Sequence, residues 1–209
     1  ACGTALALGG QVPGVALLVI MAIAAILAGA AWAGIAGALR LGFKVNDNEY
    51  KVMGLSAFGR PTYYEKIMKI IDLKKDGSYA LDMSYFDYHY KSRMPSKKFI
   101  KEFGPPRKRD EPVEERHKDM AASLQKVLEE VLMHMLKQLY RETKQKHLCM
   151  AGGVALNSVA NGKILKKTKF KNIFIQPAAS DAGGSMGAAL YVYNTILGKK
   201  RNYVLRSAF

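Results

Sequence analysis

The stretch LCMAGGVALNSVANGKIL, residues 148–165, decides which fold the chain can adopt. The short apolar run from Leu148 to Ala151 ends in glycine and indicates a buried parallel strand. Gly152 and Gly153 allow a tight turn and let a ligand approach the backbone without a side chain in the way. The helix-like segment behind them would direct the positive end of its dipole towards that ligand. The stretch therefore predicts a strand, a glycine turn and a helix beside an anion such as phosphate.

A second turn of the same kind lies in IQPAASDAGGSMGAAL, residues 175–190. The segment from Asn172 to Gln176 predicts the next strand, and a helix is predicted from about Ser185 to Leu197. Asp181 stands between them, just before another glycine pair. This order predicts half of an open α/β domain whose ligand binds at the strand ends. Glycine pairs also follow strands for purely structural reasons, and that interpretation stays open.

The segments upstream predict mainly helices. Apolar residues recur at spacings of three and four from Arg116 to about Lys144, which predicts a long helix that faces the core. Short helices are predicted from Lys51 to Leu55 and from Tyr64 to Ile71. Apolar and polar residues alternate from Leu81 to Tyr85, behind an Asp-Gly turn, which favours a hairpin or edge strands.

Charge and cysteine content restrict the function further. The formal net charge is +15, and all 32 Lys and Arg residues lie at or after Arg40. Such a chain favours anionic partners, although a solvated basic surface is the alternative.

The two cysteines, Cys2 and Cys149, give no disulfide framework and no metal-binding pattern. Because Cys149 lies in an apolar run, we expect it to be a buried small hydrophobic residue.

Residues 1–40 form a separate hydrophobic segment. As a helix, residues 15–39 would extend roughly 38 Å, enough to cross a hydrocarbon core of about 30 Å. The first positive charges behind it, from Arg40 onward, would then keep the rest of the chain in the cytoplasm. A helix buried in a soluble core is the alternative. The stretch ACGTALALGGQVPGV, with the Ala- and Gly-rich run behind it, resembles part of a permease subunit of sugar or nucleoside ABC transporters.

Three motifs in order carry a second resemblance, which covers residues from about 41 to 198. They are EYKVMGLSAFGRPTYY at residues 49–64 and the two glycine stretches quoted above. Together they strongly resemble the carbamoyltransferases of the nodulation and antibiotic-tailoring family. The resemblance implies an α/β fold: residues 41–209 would be the C-terminal half of an ASKHA (actin/sugar-kinase-like) domain. This partial domain would be preceded by the hydrophobic, membrane-compatible helix.

The family also implies a reaction and a set of site residues. In that family, a YrdC-like domain makes carbamoyl adenylate from carbamoyl phosphate and ATP. The ASKHA-type domain then transfers the carbamoyl group to a hydroxyl group of a small-molecule acceptor. The residues implied to contact the nucleotide are Lys51, Gly54, Gly59, Gly152, Gly153, Asn157, Gly183 and Gly184. Asp181 matches an acid that helps to hold a divalent metal, iron in this family.

Two departures from the family pattern lead us to expect an inactive fragment. The family's histidine ligands belong to a motif upstream of the first match, where this chain has the permease-like run. The second departure is the YrdC-like domain, which would follow YVLRSAF, residues 203–209, and is not part of this sequence. Two alternatives remain: a membrane-anchored nucleotide-binding module, and a basic RNA-binding protein that would use tyrosines and the cluster KKTKFKN at residues 166–172. The three motifs favour carbamoyl transfer, so nucleic acid is not the expected partner.

Overall fold

A computed structural model describes residues 41–42, 49–87, 95–108, 110–200 and 202. Within this part, the helices are α1 (Glu49–Leu55), α2 (Tyr64–Met68), α3 (Lys97–Phe103), α4 (Glu115–Thr143), α5 (Ser158–Lys167) and α6 (Gly184–Tyr191). The strands are β1 (Ile71–Leu73), β2 (Tyr79–Leu81), β3 (His147–Met150) and β4 (Asn172–Ile175). The predicted hydrophobic segment over residues 1–40, including the helix over 15–39, lies outside the described residues. None of the described helices is long and apolar enough to cross a membrane.

Helix α4 is the centre of the described core. The predicted helix over residues 116–144 is confirmed to within one residue at each end. The helix begins with a reciprocal cap, in which the Glu114 N–H donates to His117 Nδ1 at 2.9 Å. It ends at Lys144, whose left-handed backbone, with φ of 54°, stops the helical hydrogen-bond pattern. The apolar face between these caps buries side chains such as Met120, Val127 and Leu136.

The segment between α1 and α2 lies directly on the first turns of α4. A Cβ atom built on Gly59 would lie 2.1 Å from the carbonyl oxygen of Lys118, so only glycine allows this approach. The next residues are held by the carboxylate of Asp119, which accepts from the Arg60 N–H at 2.8 Å and the Thr62 hydroxyl at 3.1 Å. These contacts fix α1 and α2 against the central helix.

Strands β1 and β2 form an antiparallel hairpin, with Ile71 opposite Leu81. The hairpin interpretation is therefore confirmed, but two boundaries differ from the prediction. The helix predicted to Ile71 ends at Met68, because Ile71 already belongs to β1. The alternation through Tyr85 does not continue the strand, since the Asp82 carboxylate accepts from the Ser84 N–H at 2.9 Å and caps a 3₁₀ helix.

The hydrogen bonds that end this strand also change the acidity of Asp82. Its carboxylate accepts from the side chain and backbone of Ser84, and Lys98 Nζ lies 3.1 Å away. These donors, with Ser84 contributing most, lower the pKa of Asp82 from 3.8 to about 2. The carboxylate therefore stays charged through most of the acid range.

Strands β3 and β4 are parallel, with Leu148 opposite Ile173 and Met150 opposite Ile175. One face of the pair packs into the core through these apolar side chains. The other face exposes Cys149 and Phe174, and Phe174 is 59% exposed. The predicted burial of Cys149 is therefore wrong, because the described residues cover only one face of this strand pair.

Candidate functional site

The two glycine turns meet at the carboxyl edge of the β3–β4 pair. Because the strands are parallel, the loops that follow them leave from the same edge. The Gly152 N–H donates to the carbonyl of Ala179 in the loop behind β4. The Gln176 N–H donates to the carbonyl of Met150 at 3.2 Å, which holds the strand ends together. The structure therefore brings together the two turns that the sequence places about thirty residues apart.

The glycines of these turns serve different purposes. Gly152 is buried and has φ of 102°, a conformation that residues with a side chain rarely adopt. Gly183 packs so tightly that an added Cβ would lie 2.2 Å from the Ala178 carbonyl oxygen. Gly153 and Gly184 are exposed, and a Cβ built on either meets no atom within 4 Å. The edge thus combines tightly packed glycines with glycines that border open space.

Helix α1 lies beside the first turn of α5. The hydroxyl group of Ser158 donates to the sulfur atom of Met53 at 3.8 Å, which joins the two helices. Lys51 and Gly54 are exposed on this same helix, and their predicted contact with the nucleotide stays a prediction. Gly59, the third predicted residue of this motif, instead packs closely against the backbone of α4.

Asn157 occupies the N-cap position of α5. Its Oδ1 atom accepts from the Ala160 N–H at 2.9 Å. The same amide forms a reciprocal pair with Gln125: Asn157 Nδ2 donates to Gln125 Oε1 at 2.9 Å, and Gln125 Nε2 donates to Asn157 Oδ1 at 3.1 Å. The side chain that we predict to contact the nucleotide is therefore already bonded to protein atoms at both ends.

Gln125 belongs to a buried polar network that the sequence interpretation missed. Gln125 and Glu129 are only 8% and 7% exposed, although both are polar residues of α4. Gln125 Nε2 donates to Glu129 Oε1 at 3.1 Å, and Lys163 Nζ contacts both Glu129 oxygens at 2.6 and 2.7 Å. The only signal in the sequence is a polar pair four residues apart on an otherwise apolar helix face. The network fixes α5, and with it the glycine turn, against α4.

Two amide oxygens near this edge are shielded from solvent and have no hydrogen-bond partner among the described residues. They are Gln176 Oε1, directly behind β4, and Asn161 Oδ1, in the first turn of α5. Asn161 is held in place because its Nδ2 atom donates to the Ala155 carbonyl at 2.7 Å. Shielded acceptors of this kind are satisfied by a bound donor such as a hydroxyl or amino group, or by water.

Asp181 begins a short 3₁₀ helix, Asp181–Gly183, in the loop behind β4. Its backbone thus lies in the region where we predict the metal, but the position of its carboxylate is outside what the structure describes. In the described part of the chain, no group of three or more His, Cys, Asp or Glu side chains is arranged to hold a metal ion. The described residues do not form a metal centre by themselves, and the role of Asp181 stays a prediction.

A parallel strand pair whose following glycine turns meet at its carboxyl edge is an α/β arrangement. The chain belongs to the carbamoyltransferase N-terminus family, whose family model matches residues 19–190. The match begins inside the hydrophobic segment that we compare with transporter permeases.

Three curated relatives illustrate the similarity. An uncharacterized protein of Synechocystis, sll1178, is 50% identical over 162 residues, which are 77% of this chain and 26% of that protein. Nodulation protein NolNO of Sinorhizobium fredii is 38% identical over 75% of this chain and 22% of its own length. Nodulation protein NolO of Bradyrhizobium diazoefficiens is 36% identical over 69% of this chain and 25% of its own length. The chain therefore spans about a quarter of the length of these relatives.

Proposed function

We propose that this chain forms part of a carbamoyltransferase and binds an adenine nucleotide at the carboxyl edge of β3 and β4. Membership in the carbamoyltransferase N-terminus family supports the reaction class. The observation that carries the proposed location is the hydrogen bond from the Gly152 N–H to the Ala179 carbonyl, which holds the two glycine turns side by side.

The edge offers features that suit a nucleotide. Gly153 and Gly184 leave the backbone accessible, so a phosphate group can approach N–H donors closely. In this arrangement Asn157 positions the turn by capping α5, and the nucleotide contacts come from the turn itself.

The proposed reaction moves a carbamoyl group from carbamoyl adenylate to a hydroxyl group of a small-molecule acceptor. The acceptor oxygen attacks the carbamoyl carbon, and the bond from that carbon to the phosphate oxygen of AMP breaks. AMP leaves with the electron pair, and the hydroxyl proton passes to a base. A YrdC-like domain is the proposed source of the adenylate, made from carbamoyl phosphate and ATP. A divalent metal at Asp181 belongs to the same proposal.

The experiment that tests the nucleotide site is calorimetric titration of the 209-residue chain with AMP, the product of the proposed transfer. Replacement of Gly153 by valine would place a side chain in the open space, where an added Cβ meets no atom within 4 Å. We expect Gly153→Val to weaken AMP binding by at least about tenfold, or 1.4 kcal/mol. Gly162→Val is the matched control, because Gly162 is exposed on α5 and a Cβ there also meets no atom within 4 Å.

Equal affinity of both variants for AMP would show that the nucleotide does not use the Gly153 turn. An absence of AMP binding by the unmodified chain would refute the proposed site in this chain. Thermal melting of both variants checks that each is folded, so lost binding cannot be mistaken for unfolding.

A further inference from the structure

A basic cleft lies at the opposite edge of the β3–β4 pair. Helices α4 and α5 end just before β3 and β4 begin, so both helix C-termini lie at the amino edge of the strands. The cleft between them has a volume of about 410 Å³. Its cationic lining residues are Lys137, Arg141, Lys144, Lys166, Lys167 and Lys169. The ten residues of α5 separate this basic cleft from the Asn157 turn by about 15 Å.

The walls of the basic cleft are fixed by the fold. Lys144 ends α4 in the left-handed conformation, with its N–H donating to the Tyr140 carbonyl at 2.9 Å. The Thr168 hydroxyl donates to the Ile164 carbonyl at 2.8 Å and ends α5 in the same region. The Tyr140 ring packs edge-on against the buried ring of Phe170, with centroids 5.6 Å apart. The backbone that carries the cations is therefore preorganised.

The positive charges of the basic cleft are not neutralised by neighbouring acids. None of the described residues that line it is acidic. None of its five lysines forms an ion pair within the described part of the chain. Arg141 Nη1 donates to the neutral Gln138 Oε1 at 3.1 Å, and the nearby Glu142 accepts from Gln138 instead.

Stabilisation of the helix ends explains only part of this charge. Each helix C-terminus carries about half a negative charge, and basic residues there are favourable. Two helix ends therefore offset about one of the six positive charges. The cations converge on one concave surface from two separate helices and from the loop at Lys169, and this convergence concentrates positive potential.

We propose that the basic cleft binds a compact anion that carries at least two phosphate groups. Its volume lies within the range of about 300–1,000 Å³ that is usual for small-molecule sites. Single-stranded RNA would also need aromatic rings on which its bases stack. Tyr140 is the one aromatic residue among the described residues that line the cleft, and its ring packs edge-on against the buried Phe170. Six cations beside a single aromatic ring favour a small polyphosphorylated ligand over single-stranded RNA.

The test is calorimetric titration of the full chain with inorganic triphosphate, compared with orthophosphate. The variant Arg141→Glu/Lys167→Glu reverses one cation on each helix of the cleft. The matched control, Lys75→Glu/Lys101→Glu, changes the net charge equally at exposed lysines outside the cleft. A second pair, Arg141→Gln/Lys167→Gln, avoids placing acidic groups at helix C-termini, and melting curves check that every variant is folded.

We expect the unmodified chain to bind triphosphate more tightly than orthophosphate, and both cleft variants to weaken triphosphate binding by at least about tenfold. The control pair should change the affinity for triphosphate little. Gly153→Val should leave this affinity unchanged, which separates the basic cleft from the nucleotide site. Equal losses in the cleft and control variants would overturn the proposal, as would no triphosphate binding by the unmodified chain. Binding of single-stranded RNA without binding of triphosphate would overturn it too.

Discussion

Replacement of Asn157 by alanine is expected to destabilise the protein. The substitution removes the N-cap bond to Ala160 and both hydrogen bonds of the reciprocal pair with Gln125. Loss of an N-cap costs about 1 kcal/mol. Each hydrogen bond of the amide pair contributes about 1 kcal/mol net. We therefore expect the free energy of unfolding to fall by about 3 kcal/mol, a large share of a typical total of about 5–15 kcal/mol.

Three further variants divide this loss into its parts. Asn157→Ser keeps a capping oxygen but does not reach Gln125, so we expect a loss of about 2 kcal/mol. Gln125→Ala removes the pair and the hydrogen bond to Glu129, which corresponds to about 3 kcal/mol. In the double alanine variant the shared pair is lost only once, so the expected loss is about 4 kcal/mol and the coupling energy is about 2 kcal/mol.

Urea denaturation followed by circular dichroism measures these losses, provided that the slope of the unfolding free energy against urea stays constant. A coupling energy below about 0.5 kcal/mol would show that Asn157 and Gln125 do not interact as described. Unchanged stability of Asn157→Ala together with loss of AMP binding would show that this amide serves the nucleotide rather than the cap. The assay thus decides between the structural role and the role that the family resemblance implies.

The remaining predictions concern packing, acidity and exposure. Gly59→Ala is expected to lower the free energy of unfolding by about 1–3 kcal/mol, because the added Cβ would overlap the Lys118 carbonyl; an unchanged urea midpoint would contradict this. The folded-state pKa of Asp82 is about 2, below its ordinary 3.8, so folding releases protons and the protein loses stability as the pH falls between these values. Asp82→Asn should make the unfolding free energy depend less on pH in this range. Identical slopes of unfolding free energy against pH for both proteins would refute this prediction. Cys149 should react with iodoacetamide in the native protein almost as fast as in urea, measured in a Cys2→Ser background; strong protection would show that this face is covered.

Local patterns in the sequence were sufficient for the longest helix and for the parallel strands, whereas helix α3 was not predicted. The apolar spacing that predicts α4 repeats over eight turns, so its ends differ from the prediction by one residue. Strands β3 and β4 are bounded by glycine and proline turns and are likewise found within one residue of their predicted limits. The meeting of the two glycine turns also followed from sequence, because parallel strands place their following loops at one edge.

The features that could not be predicted depend on contacts between distant residues. Gly59 matches a nucleotide-site motif, but its environment is set by Lys118 on another helix. The polar side chains of Gln125 and Glu129 find partners only after α5 packs on α4. The burial of Cys149 depends on what covers the second face of the strand pair, which four residues of sequence do not encode. Tertiary neighbours decided each of these cases.

Helix α6 shows how unevenly the fold resists opening. It has eight residues, none of them buried, and it continues into a π-helical turn, Val192–Ile196. Isolated helices shorter than about 12–15 residues are marginal in water, so α6 gains little from its own hydrogen bonds. Its amide protons should therefore exchange with deuterium through frequent local opening, whereas the buried amides of α4 should exchange only when the whole domain unfolds. Amide hydrogen exchange would then be slow in the central helix α4 and fast in helix α6.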